Sequence, residues 1–266
     1  DIASDLRWLD AQCAPIIPDA SRGAVRQAVA MADITLHQFE ISPFCDKVRR
    51  ILHVKGVPYE IREIRALRSA VDVRRINRIG RVPVLEVDGQ LIADSSEIAR
   101  FLDERFPDPP LWPADPRERA QCHLLEDWAD ESLYFYEMTM RLQWRSNSAR
   151  WARELMRADG RFGEAIGPLL VPLLVAQRTK AQGVGRKPHE LVLRELERHL
   201  DAIDTLLDEG DWLASGALTI ADVAVAAQVT AISGAREGRA ALDGHPVTAA
   251  WLRRTNDATR PVAAAG

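Results

Sequence analysis

The chain has 266 residues, 47% hydrophobic and 28% charged, with a net charge of −4 at pH 7. That length is ample for a sizeable core in one or two domains, and the mildly acidic balance argues against a nucleic-acid partner. Three widely spaced cysteines (Cys13, Cys45 and Cys122) argue against a disulfide framework and fit a reducing compartment. The six histidines are scattered without ligand spacing, so no metal is expected. The start lacks a basic segment followed by an apolar one, and the apolar run from Ile166 to Ala176 is too short to span a bilayer. A cytoplasmic protein with no membrane partner is the expectation.

Residues 1–33 differ from the rest and read as an N-terminal extension, with Met31 as the expected natural start. From Ile34 strand and helix patterns alternate: a strand at Ile34–Phe39, a helix at Pro43–Lys55 stopped by Gly56, and a strand at Tyr59–Ile64. A short helix or turn follows at Ser69–Asn77. Val82–Val87 and Gln90–Ala93 flank an Asp88-Gly89 hairpin turn, and Ser95–Phe106 is an amphipathic helix. This order predicts a mixed four-stranded sheet with helices packed on it, an α/β domain over 34–106.

Five of the fifteen prolines crowd into Pro107–Pro116, which predicts a stiff linker at 107–116 and a domain boundary there. Beyond it no strand pattern occurs, so 117–260 reads as an all-helical bundle and 261–266 as a tail. Arg117–Leu142 reads as one long helix. Trp151–Met156 and Glu164–Gln177 suggest helices interrupted by Gly and Pro, and Gln182–Pro188 a loop. Leucines at helical spacing fill Glu190–Leu207, and Ile220–Ile232 is apolar nearly all round, as in a central buried helix. Thr219-Ile220-Ala221-Asp222 has the form of a capping box for it. The basic clusters Lys47-Arg49-Arg50 and Arg74-Arg75 read as solvated helix faces.

Chemistry concentrates at Ser42-Pro43-Phe44-Cys45. Ser followed by Pro is a helix start, so a hydroxyl, a thiol and a helix's positive end meet at one place, where an anion is stabilised. Capping is the bland use of such a serine. It engages the oxygen lone pairs and leaves the proton to donate. Arg81-Val82-Pro83-Val84 places a proline at a strand entry; on frequency alone its peptide bond is trans. Asp94-Ser95-Ser96 precedes a helix, and its members either cap it or hold a ligand's cation and anion.

Ser42-Pro43-Phe44, Arg81-Val82-Pro83-Val84, Asp94-Ser95 and Leu218-Thr219-Ile220-Ala221-Asp222 occur in the order found in cytosolic glutathione transferases. The stretch from about 34 to 260 resembles that family, with a serine-type, tau- or phi-like motif. The resemblance implies a thioredoxin-like α/β domain followed by an all-α helical bundle, with glutathione as co-substrate. It makes Ser42 the donor that stabilises the glutathione thiolate. Val82 then pairs with the cysteinyl backbone, and Pro83 is the family's cis-proline. Asp94 and Ser95 grip the γ-glutamyl end, and Arg81 lies near the glycyl end. Cys45 stands where the second cysteine of a dithiol motif would be, with serine in place of the first; it is a possible secondary thiol. An electrophile site is expected along Tyr134, Tyr136 and Met138, although an aromatic and methionine stripe is more often core. Residues 145–188 are longer than the family needs there.

The function implied is transfer of the glutathione thiolate to a small hydrophobic electrophile by a cytoplasmic homodimer engaged in detoxification. A glutathione-dependent peroxidase, lyase or ether-cleaving enzyme, and a non-catalytic binding module, are the alternatives. The chemistry is consistent: a free thiol has a pKa of about 8.5, and each unit of depression is about 1.4 kcal/mol of anion stabilisation. A hydroxyl donor at a helix N-terminus can supply this.

Overall fold

A computed structural model describes residues 33–260. Apart from Asp33, the expected extension, its start at Met31, Cys13 and the tail 261–266 lie outside the described residues.

The first half is the expected four-stranded mixed sheet. Strands β1 (Ile34–Gln38), β2 (Glu60–Glu63), β3 (Val84–Val87) and β4 (Gln90–Ala93) lie in the order β2-β1-β3-β4. β1 runs parallel to β2, with Leu36 opposite Ile61, and antiparallel to β3, with Leu36 opposite Leu85. The β3–β4 turn has Asp88 at φ 50° and Gly89 at φ 83°, the pair of left-handed residues that a two-residue hairpin requires. Helices α1 (Pro43–Val54), α2 (Ser69–Ile76) and α3 (Ser95–Arg105) complete this part. α1 and α3 bury Val48, Ile51, Leu52, Ile98 and Leu102 with Leu36 and Leu85 of the sheet.

The proline-rich stretch carries no helix or strand before Pro116. It is pinned nonetheless: Lys55 Nζ donates to the Pro109 carbonyl, and Ile220 N donates to that of Leu111. From Pro116 to Gln143 the chain is helical without a break. α4 (Pro116–Trp128) passes through a wide π-type turn at Ala129–Leu133 into α5 (Tyr134–Met138), and a second such turn covers Thr139–Gln143.

The helices α6 (Ser148–Leu155), α7 (Gly160–Gln182) and α8 (His189–Leu206) follow, then α9 (Ile220–Ile232), α10 (Arg236–Asp243) and α11 (Pro246–Thr259). α9 is the buried centre, packed with Leu133, Leu196, Leu200 and Trp251. Its capping box is formed. Asp222 Oδ2 accepts from the Thr219 N–H and hydroxyl, while Oδ1 accepts from Leu213 N and Trp251 Nε1.

Two expectations are corrected. Pro168 and Pro172 do not interrupt their segment: both lie inside α7. A proline removes one backbone donor, but here Gly163 and Gly167 let α7 approach the α6 segment closely. A Cβ added at Gly167 would come within 2.8 Å of the Ala152 carbonyl, so packing outweighs the local penalty. The Lys47-Arg49-Arg50 cluster is not a solvated face either, since Lys47 and Arg50 are each 1% exposed. Arg50 donates to Asp46 on its own helix, to Thr230 of α9, and to Asn256 and Thr259 of α11. Such burial is tolerated because every charge has a partner. Helices α10 and α11 carried no expectation from the sequence.

Candidate functional site

Ser42 is the N-cap of α1. Its Oγ accepts from Cys45 N at 3.4 Å, with Pro43 as the first helical residue. The hydroxyl proton is free of that bond. Cys45 faces the opposite environment: it is fully buried, and burial pushes its thiol up to about 11 even though Ser42 and Phe39 act against this. A thiol of that kind is protonated at neutral pH and out of reach of a reagent.

Two cavities flank the first turn of α1. The first, of about 310 Å³, brings together Arg81, Val82, Pro83, Asp94 and Ser95. The Val82–Pro83 bond is cis, as the family resemblance implies and against its trans frequency. Asp94 stands at φ 79°, a conformation rare for a residue with a side chain, and caps α3 by accepting from Ser96 N and Glu97 N through Oδ1. Ser95 is buried as the first residue of α3. Phe44, the second residue of α1, forms another wall and meets Tyr134 in a tilted ring contact, with centroids 4.7 Å apart and planes at 58°.

The floor of this cavity is a buried ionic cluster that motif reading missed. Lys47 Nζ donates to Glu126 and Asp130, each at 2.7 Å, and to Ser96 Oγ at 3.1 Å. Burial raises the Asp130 carboxyl, which Lys47 only partly offsets, and its Oδ1 has no hydrogen-bond partner. The first π-type turn carries Asp130 and Glu131 to the wall, where Glu126 and Asp127 join them. The cavity is therefore lined by carboxylates on the helical side and by Arg81 and Arg100 on the sheet side. It suits a ligand that carries both an ammonium and a carboxylate.

Ser42 does not open onto that cavity. With Ile41 and Pro43 it lines a second one, of about 330 Å³, whose far wall includes Arg141, Trp151 and Thr230. Arg141 comes from the second π-type turn, donates to the Ile41 carbonyl at 2.8 Å and lies 4.3 Å above the Trp151 ring. Its Nε is 3.0 Å from Glu137 Oε2 but out of line, so neither atom makes a hydrogen bond. The hydroxyl thus lines a different cavity from the other five motif residues.

Of the aromatic and methionine stripe, only Tyr134 approaches the cavities, through Phe44. Tyr136 and Met138 are not brought to either. Tyr136 packs among the α8 and α9 side chains, with its hydroxyl 2.8 Å from Glu195, and Met138 joins a small core with Leu142, Met156 and Val171. Among the described residues no His, Cys, Asp and Glu side chains cluster as metal ligands do, and no helix is long and apolar enough to cross a membrane.

Comparison with known proteins gives a consistent picture. A family model for the glutathione S-transferase N-terminal domain matches residues 36–110, and one for the C-terminal domain matches 149–254. FtsZ-localized protein A of Caulobacter vibrioides is 27% identical over 206 residues, covering 74% of this chain and 76% of that protein. Glutathione S-transferase Z2 of Arabidopsis thaliana is 38% identical over 93 residues, 34% of this chain and 41% of that one. Beyond the Caulobacter protein, the alignments span from 65% down to 40% of the curated relatives' own length. A solved glutathione S-transferase from Rhodospirillum rubrum superposes with a TM-score of 0.62 at 25% identity, over 86% of this chain and 89% of that one.

Proposed function

The chain belongs to the glutathione S-transferase family, and on that premise we propose that it binds glutathione in the first cavity and transfers its sulfur to a small hydrophobic electrophile. In this reading Asp94 Oδ2 and the carboxylates of α4 take the γ-glutamyl ammonium. Ser95 takes the adjoining carboxylate, the Val82 backbone pairs with the cysteinyl unit, and Arg81 lies toward the glycyl carboxylate. The sulfur reaches over the first turn of α1 to Ser42, whose hydroxyl proton and the helix N-terminus stabilise the thiolate. The thiol proton passes to solvent. The thiolate then forms a bond to the electrophile's carbon, and the leaving group departs with the electron pair of the bond it breaks. The second cavity, with Trp151 on its wall, receives the electrophile beside Ser42.

The observation that carries this reading is the convergence of Arg81, Val82, Pro83, Asp94 and Ser95 on one cavity, with Asp94 held at positive φ. The test is conjugation of a chloronitrobenzene, together with retention on immobilised glutathione. Both are expected, and loss of retention in Asp94→Ala is expected as well. Failure of the unaltered protein in both assays would overturn the proposal.

A non-catalytic binding module is the second reading. Two points favour it: Ser42 opens onto a different cavity from the other motif residues, and the Caulobacter relative is named for its localisation rather than for a reaction. Retention on glutathione without any conjugation would select it.

A further inference from the structure

The two cavities beside α1 carry opposite charge. Carboxylates dominate the first, where Asp94 and four from α4 and its π-type turn face only Arg81 and Arg100. The second is lined by Arg49, Arg141, Arg150 and Arg260, and its three carboxylates are already taken. Asp46 accepts from Arg49, Arg50 and Arg260 at 3.3, 2.8 and 2.7 Å, and Arg157 pairs with both Glu40 and Glu154. Arg141 is 3% exposed, yet its Nε has no hydrogen-bond partner, because its one carboxylate neighbour, Glu137, is out of line. Among the described residues no carboxylate pairs with Arg150. Both guanidinium groups lie against Trp151 instead, 4.3 and 5.1 Å from the ring centroid, so one aromatic ring holds two cations. Like charges held this close repel, and an anion between them relieves the repulsion.

From this wall we propose that the second cavity takes a small organic acid, with its anionic group at Arg141 and Arg150. Its role rests on the transferase reading above: the acid is the electrophile. The rest of the lining supplies the apolar half of the fit, through Ile41, Pro43, Ala227 and Ala231. A volume of about 330 Å³ suits a molecule of roughly one ring with one charged end. Guanidinium groups offer a carboxylate paired donors in a fixed fork, which a merely apolar electrophile would leave unused. The same cations serve the reaction. An acidic electrophile is repelled by the thiolate it must meet, and fixed positive charge beside Ser42 offsets that repulsion. Glutathione's own carboxylates fit this wall less well, because Arg81 and Arg100 already face the first cavity.

A matched pair of substrates tests this: 4-chloro-3-nitrobenzoate, which carries the acid, and 4-chloro-3-nitrobenzamide, which is similar in size and neutral. In each, the sulfur bonds to the ring carbon and chloride leaves with the electron pair of the bond that breaks. Dividing each kcat/KM by the uncatalysed rate with glutathione removes the difference in ring reactivity. On that scale the benzoate is expected to exceed the benzamide at least ~10-fold, the worth of one charge-assisted hydrogen bond, and Arg150→Gln to abolish most of the ratio. Arg150 is exposed, so this variant is expected to keep the melting point of the unaltered protein. Arg141→Lys, which keeps the charge without the fork, is expected to lower the ratio as well. Calorimetric binding of both compounds without glutathione separates this inference from the transferase reading. Turnover of neither compound, with the benzoate bound more tightly by the same factor and released in Arg150→Gln, would end the transferase reading and uphold the acid site. Turnover of both at equal relative rates would uphold the transferase reading and overturn the acid site. Equal binding of the two compounds, or a preference that survives both variants, would overturn it too. So would displacement of the benzoate by glutathione or by equimolar inorganic phosphate.

Discussion

Ser42 has two duties that use different parts of one hydroxyl. The oxygen accepts the Cys45 N–H of the helix it caps, which leaves the proton for a thiolate. Cys45, three residues on, has no such freedom. Its thiol is raised from 9.0 to about 11 by burial, so folding favours the protonated form. Stability from this group is complete below about pH 9, where the unfolded thiol titrates, and is lost as pH rises through 11, by about 3 kcal/mol in all. Urea midpoints of the unaltered protein are expected to fall across that window, and those of Cys45→Ala to fall less. Cys45→Ala is also expected to leave conjugation unchanged, and a thiol reagent at pH 8 to spare Cys45 until the protein unfolds. Ser42, Val82 and Asp94 could be singled out as candidates because each belongs to a short local motif. Lys47 could not: its partners Glu126 and Asp130 lie 79 and 83 residues away, and no local pattern marks that meeting.

At the scale of the element, helix starts were readable and helix interruptions were not. The capping box before α9 is a four-residue signal, and the structure forms it in full. Asp222 is fully buried and satisfies four donors, so Asp222→Ala strands the Thr219 N–H and hydroxyl, the Leu213 N–H and the Trp251 indole at once. A loss of about 3–5 kcal/mol in urea unfolding is expected, with Asp222→Asn recovering part of it. The prolines of α7 pointed to a break because a local rule was applied where packing decides. Gly167 lies so close to Ala152 that the helix continues through the lost hydrogen bonds. The two π-type turns were equally invisible, since an unbroken helical pattern does not reveal an extra residue in one turn. They matter for the site, because they bring Asp130 and Arg141 to the two cavity walls.

Across the whole molecule, α1 is where the sheet and the helical part are joined. Arg50 alone holds Asp46, Thr230, Asn256 and Thr259, the last 209 residues distant. Burial would raise the Asp46 carboxyl, but Arg50, Arg260 and Arg49 together outweigh it and hold it below the usual carboxylate range. Its contribution to stability is therefore present above about pH 4 and is lost as pH falls below that. Arg50→Ala leaves Asp46 buried with fewer partners. A loss of about 3–5 kcal/mol at neutral pH is expected, with a shallower acid limb in the stability profile than the unaltered protein has.

The same helix carries the central claim, that glutathione in the first cavity presents its sulfur to Ser42 at the N-terminus of α1. Ultraviolet titration of the thiolate in the glutathione complex tests it most directly, in the unaltered protein and in Ser42→Ala. The account predicts that bound glutathione titrates about one to two units below a free thiol, and that Ser42→Ala returns most of that depression while glutathione remains bound. Conjugation near neutral pH would fall roughly 10- to 100-fold in parallel. Identical titration curves for the two proteins, with glutathione bound to both, would contradict it.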